Sequence, residues 1–148
     1  MLSMPKCWVF AGRDENLEIG LRLGIWGFEK PSGDVQEQFI KYWEEMNSGD
    51  FAVLQRFRQE KAIALVKLKD FFYDSKTLIW PKEHEEGRAI YVWRVKFDVF
   101  RMLSKDLWDK KAITSRVPGS RYIRRIGLGL MSFEEFSRLL EDIEREWL

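Results

Sequence analysis

The chain has 148 residues, enough for one domain with one hydrophobic core and too few for two of ordinary size. Hydrophobic residues make up 45% and charged residues 33%, the balance of a soluble globular protein, and no apolar run approaches the roughly 18 residues of a membrane span. Formal net charge is +1, and the single cysteine and single histidine, Cys7 and His84, leave no partner for an internal disulfide and too few soft ligands for an ordinary zinc site.

Along the chain, Cys7-Trp8-Val9-Phe10-Ala11 reads as a short buried strand with Cys7 as an inert core thiol. Nothing before it has a signal-peptide pattern, so the cytoplasm is the expected location. Asp14 is placed to cap a helix that runs to Leu23 and stops at Gly24, and a loop follows with Trp26 between Gly24 and Gly27. Asp34 is the next N-cap, and Val35, Phe39, Tyr42, Trp43 and Met46 recur at helical spacing until Asn47-Ser48-Gly49-Asp50. Residues 51–57 and 62–69 read as a hairpin joined by the polar turn Arg58-Gln59-Glu60-Lys61. A loop carries Trp80-Pro81, and His84 falls in a charged run as a solvated side chain rather than a base. Between residues 89 and 100 the chain alternates as a strand does, with Tyr91, Trp93, Val95 and Phe97 on one face and Val92, Arg94 and Lys96 on the other. Residues 104–111 suit a short helix, residues 115–120 a loop, and the basic run 121–127 comes next. Ser132 with Glu135 is a capping box for an amphipathic helix carrying Phe133, Phe136, Leu139, Leu140 and Ile143. That pattern is still running at Leu148, which predicts a piece of a longer protein. The order of elements predicts a single α+β domain, residues 1–148, built on a curved sheet or small β-barrel.

Two quantities stand out. Aromatic content is 15%, with seven tryptophans, more rings than a small core needs. Trp8, Trp43, Trp93, Trp108 and Trp147 are assigned to packing, which leaves Trp26 and Trp80 for a stacking surface. Charge is unevenly placed: residues 101–130 hold eight basic residues against two acidic ones, and residues 131–148 hold two against six. No phosphate-cradling loop, serine elbow, HExxH or paired CxxC is present, so a binding domain is expected rather than an enzyme, with no cofactor.

The stretch WVFAGRDENLEIGLRLGIWGFEKPS, residues 8–32, resembles the opening strand, helix and tryptophan segment of YTH and EVE domains of the PUA superfamily. In those domains an acidic or amide residue lies about ten positions before a tryptophan in a G-[VI]-W-[SG] context. Asn16 and Gly24-Ile25-Trp26-Gly27 match it here, and the similarity runs on through Ile79-Trp80, Tyr91-Val92-Trp93-Arg94-Val95 and Arg124-Arg125-Ile126-Gly127. Among relatives the chain looks most like the amino-terminal domain of archaeal McrB-type restriction GTPases.

The resemblance implies a PUA-like fold and a reader of one modified base: DNA carrying N6-methyladenine, with the base flipped out of the duplex, as the targeting domain of a methylation-dependent restriction system. Trp26 and Trp80 would be facing walls of an aromatic cage, a base's width apart. Asn16 would bond the Watson–Crick edge, and the backbone at Gly27 would accept from the methylated amino group. Arg121, Arg124 and Arg125 would hold phosphates. Where YTH domains often carry a second amide this chain has Gly12, and no third wall is legible. The expected partner is methylated DNA, with methylated RNA or a modified cytosine in DNA as alternatives. No membrane partner is expected, the isolated domain is expected to be a monomer, and fusion to a GTPase motor is implied.

Stacking is worth roughly 1–3 kcal/mol per base and flipping costs a few, so phosphate contacts must supply much of the affinity. One buried methyl group adds only about 0.8 kcal/mol of selectivity. Each residue also has a plainer reading. Trp26 and Trp80 are then core rings, Asn16 bonds local backbone, and the arginines are a solvated strand edge. A protein-interaction module with exposed aromatic residues is the alternative of another class.

Overall fold

The computed structural model describes residues 4–115 and 120–147, with the backbone alone at 120 and 121. Its strands are β1 (Cys7–Gly12), β2 (Ile25–Phe28), β3 (Phe51–Arg56), β4 (Lys61–Tyr73), β5 (Trp93–Met102), β6 (Ile113–Thr114) and β7 (Leu128–Met131). The helices are α1 (Asp14–Leu23), α2 (Gln36–Glu45), α3 (Pro81–Glu86), α4 (Trp108–Lys111), α5 (Ser120–Ile126) and α6 (Phe133–Glu146). The sheet runs β2-β5-β4-β3-β1-β7, with β6 paired to β4. β1 and β3 are parallel and the other pairs antiparallel, so the sheet is mixed. It curls into a half-barrel flanked by helices, the α+β architecture expected from the sequence.

β1 is apolar throughout because both of its faces are covered. Trp8 and Phe10 point into a core with Leu17, Phe39, Leu54 and Val66, while Cys7, Val9 and Ala11 join a second core closed by Leu139 and Ile143 of α6. Burial raises the Cys7 pKa, and Asp50 adds to the shift, which fits an inert thiol. The capping box of α6 forms as expected, with Glu135 N–H donating to Ser132 Oγ at 3.1 Å and Ser132 N–H donating to Glu135 at 2.9 Å. Trp8 and Trp108 are core residues, and Trp43, Trp93 and Trp147 pack against the core. Among the described residues no helix is long and apolar enough to cross a membrane.

Several segments differ from the sequence-based expectation. Residues 25–28 form an edge strand rather than a loop, because Gly24, at φ 72°, ends α1 and turns the chain so that Ile25–Phe28 pairs with β5. Asp14 is the first residue of α1 rather than its cap; its carboxylate is drawn to Arg56, 2.7 Å away. Asp34 lies in the turn Gly33–Val35 ahead of α2 and pairs with Arg125. Pro81 opens a helix, where its fixed φ suits the first position. Part of the basic run is α5, and β7 then pairs with β1. β5 starts at Trp93 because the N–H groups of Ile90 and Tyr91 are committed to Glu83 instead of a ladder.

The hairpin turn after β3 is strained. Arg58 has φ 71° and Glu60 φ 55°, a region that costs a non-glycine residue about 1–3 kcal/mol.

Candidate functional site

A cleft of about 610 Å³ opens between the start of α1, the edge strand β2 and α3; Gly12, Asn16, Trp26, Gly27, Trp80 and Tyr91 are among its lining residues. Small-molecule sites occupy roughly 300–1,000 Å³, so the cleft is large enough for a nucleobase.

Behind the rings of this cleft lies one buried ion pair. Glu83, the third residue of α3, turns inward and accepts from the N–H groups of Ile79 (2.8 Å), Trp80 (3.2 Å), Ile90 (2.8 Å) and Tyr91 (3.1 Å). Arg94 of β5 completes it, with Nη2 3.2 Å from Glu83, Nε donating to Tyr91 O at 3.0 Å and Nη2 to Thr77 O at 2.6 Å. Its Nη1 lies 3.0 Å from Asp74, and its guanidinium sits 5.5 Å from the Trp80 ring centroid. Burial raises the Glu83 pKa, but the four N–H donors outweigh it and hold the carboxyl below its ordinary range. Both residues that carry cleft rings from this segment, Trp80 and Tyr91, therefore hang from one carboxylate.

The rings form a corner rather than a slot. Trp26 and Trp80 meet edge to face, with centroids 6.1 Å apart and planes at 75°, and Tyr91 meets Trp80 at 5.5 Å and 83°. The expectation of two indole planes facing each other across a base-wide gap is thus corrected. The cause is the glycines beneath them. A Cβ at Gly12 would stand 2.4 Å from Trp26 Cη2, and one at Gly27 would stand 2.9 Å from Trp80 Cη2 and 2.7 Å from Tyr91 O, so both indoles sink into hollows that only glycine leaves. Trp26 is 5% exposed and Trp80 2%; each lines the cleft and also fills the core. Tyr91 is half-buried, and the Asn16 side chain stands beside its hydroxyl. Burial raises the Tyr91 pKa, with Glu29 and Glu83 adding to the shift.

Of the arginines expected at phosphates, the structure brings Arg125 to the cleft, where it bonds Asp34 at 2.8 Å. Arg124 is exposed and faces Glu60 at 3.5 Å. The side chain of Arg121 lies outside the described residues. The cleft cations are Arg13, Lys82 and Arg125, set among Glu15, Glu29, Glu85 and Glu86. Nothing in the sequence marks Tyr91, Arg13 or Lys82 as cleft residues. Tyr91 shares a period-two face with Trp93 and Val95, which reads as core, and the other two carry no signal beyond exposure. Among the described residues no group of three or more metal-ligating side chains occurs, and His84 is exposed on α3.

No protein-family model matches the chain. It is 27% identical over 147 residues to an uncharacterized protein of Methanocaldococcus jannaschii, covering 95% of this chain and 91% of that one. Among solved structures, the Mmi1 YTH domain complex with RNA has a TM-score of 0.57 at 11% identity, over 95% of this chain and 79% of that one. The Pho92 YTH domain in complex with m6A has a TM-score of 0.51 at 11% identity, over 95% and 86% of the two chains. A Rhodopseudomonas palustris protein has a TM-score of 0.54 at 12% identity, over 93% and 92%. At such identities the likeness establishes the fold, and that fold is YTH-like.

Proposed function

We propose that the chain is a modified-base reader that binds DNA carrying N6-methyladenine, taking the base out of the duplex into the corner of Trp26, Trp80 and Tyr91. The observation that carries this reading is the convergence of three rings, the Asn16 amide and the Gly27 backbone on one cleft. Support also comes from the fold shared with a YTH domain in complex with m6A.

On entry the base stacks against these rings, and the Asn16 amide, which lines the same cleft, turns to its Watson–Crick edge. The Tyr91 backbone stays where Glu83 and Arg94 hold it. Gly27 O accepts from the methylated amino group. The Trp80 indole N–H, buried with no partner among the described residues, is a donor for an acceptor atom of the ligand. Stacking of roughly 1–3 kcal/mol per base does little more than offset flipping, so Arg13, Lys82 and Arg125 must engage phosphates.

DNA is favoured by the likeness of the chain to the amino-terminal domain of archaeal McrB-type restriction GTPases. In that setting the chain targets a cytoplasmic restriction system, fused to a GTPase motor, and binds without catalysis. N6-methyladenine in RNA is the second reading, favoured by the RNA-bound Mmi1 neighbour. Titration of the intrinsic tryptophan fluorescence with matched oligonucleotides tests both. Methylated duplex DNA is expected to bind about fourfold tighter than its unmethylated counterpart and tighter than methylated RNA, with affinity falling as salt rises. Tighter binding of the RNA replaces the DNA reading, and absence of salt-sensitive binding to any of them leaves the protein-interaction reading in its place.

A further inference from the structure

The turn between β3 and β4 stands at the rim of the cleft and takes no part in holding its rings. Phe57, which opens the turn, lines the cleft and donates its N–H to Gly12 O at 2.8 Å. Arg58 and Gln59 follow, both exposed, with the Arg58 guanidinium 5.6 Å from the Phe57 ring centroid. A turn that merely joined two strands would place glycine or asparagine at its left-handed positions. This one keeps Arg58 and Glu60 there.

The surroundings hold the strained backbone from several sides. Glu60 N–H donates to Arg56 O at 3.1 Å, and Ser115 N–H donates to Glu60 O at 2.9 Å. Arg124 reaches the Glu60 carboxylate at 3.5 Å, and the Ser115 hydroxyl bonds Gln55 one residue before the end of β3. Strain retained by such over-determination marks a segment whose exact projection matters.

We propose that this turn enters the duplex where the extruded base leaves it, with Arg58 filling the gap in the stack and Gln59 meeting the orphaned partner base. The proposal rests on the base-reader reading and adds what that reading lacks, an element that holds the duplex open. Flipping leaves an empty step and an unpaired base. A guanidinium plane stacks on bases as an aromatic ring does. An orphaned thymine presents one N–H donor flanked by carbonyl acceptors, and a glutamine amide offers an acceptor and two donors in reply. Phe57 and Gln59 also border a concavity that holds Arg13 and Lys105 beside Asp14, Glu15 and Glu18, so the two cations there are balanced by carboxylates and the turn itself must make the contact with the duplex. Arg124 then acts on nucleic acid through Glu60, as a support of the turn.

The double variant Arg58→Gly with Gln59→Ala removes both side chains and leaves glycine at the left-handed position, which it adopts freely, so the fold is retained. The probes are a DNA duplex with one N6-methyladenine next to a 2-aminopurine, and the same methylated strand unpaired. The variant is expected to lose about tenfold or more in affinity for the duplex, and with it the rise in 2-aminopurine fluorescence, while binding the single strand within about twofold of the parent. Equal losses on both probes, loss on the single strand alone, or loss on neither overturns the role of the turn. If the parent chain does not prefer the methylated single strand to the unmethylated one, the base-reader reading itself fails and takes this inference with it.

Discussion

Arg94 and Arg125 each lie close to a carboxylate, at 3.2 Å from Glu83 and 2.8 Å from Asp34, yet the Arg94 side chain is 1% exposed and that of Arg125 50%. The shorter contact is the weaker one in effect. Buried charges cannot be released to water, so Glu83 and Arg94 fix Thr77, Trp80 and Tyr91 around themselves whatever the ionic strength. Exposed charges exchange partners readily, so Asp34 holds Arg125 only until a stronger anion arrives. The aromatic half of the cleft is therefore set by the fold, and the charged half by what is bound.

The largest effect is expected where the buried pair is broken. Arg94→Met leaves Glu83 buried without its cation and should cost about 3–5 kcal/mol in denaturant unfolding. A loss well under that would mean that the four backbone N–H groups alone suffice for the carboxylate. Next comes Gly12→Ala, whose Cβ would stand 2.4 Å from Trp26 Cη2. The indole must then lift from its hollow, at about 1–3 kcal/mol of overpacking, and a changed near-ultraviolet circular dichroism of the tryptophans would report the move.

Acid should act on the same half of the cleft. Backbone N–H donors from Thr77 and Lys76 lower the Asp74 pKa from 3.8 to about 2, with Arg94 adding to the shift, and Glu83 moves in the same direction. A carboxylate depressed in the folded state contributes stability that is complete above its unfolded value and is lost as pH falls through the folded one. The urea midpoint should hold level down to about pH 5 and fall between about pH 4 and 2, and Asp74→Asn should flatten that fall. An unchanged slope in the variant would place the acid sensitivity elsewhere.

The same division governs what the sequence made legible. Where periodicity and punctuation decide, the reading succeeds: Gly24 stops α1, the Ser132 and Glu135 box starts α6, and residues 51–57 and 62–69 do form a hairpin. Where a contact between distant residues decides, it does not. Glu83 stands in a run whose neighbours Lys82, His84, Glu85 and Glu86 are all exposed, and nothing local distinguishes the one acid that turns inward. The tilt of the two indoles depends on Gly12 and Gly27 meeting rings from other elements, so a spacing that picked out Trp26 and Trp80 carried no orientation. The arginine run was visible as charge, but whether a cation faces phosphate or carboxylate is settled by α5 packing near Asp34 and Glu60.

Arg125 supplies the smallest effect on the fold and the most specific one on binding. Because its pair with Asp34 lies in solvent, Arg125→Gln should leave the unfolding midpoint where it is. If the guanidinium trades Asp34 for a phosphate in the complex, the variant weakens binding to methylated and unmethylated DNA alike and lowers the slope of log affinity against log salt by about 1. Asp34→Asn should act oppositely on affinity, since it removes the carboxylate with which phosphate competes. A salt slope that stays the same in Arg125→Gln would mean that Asp34 keeps its partner in the complex, and that Arg13 and Lys82 carry the strand without it.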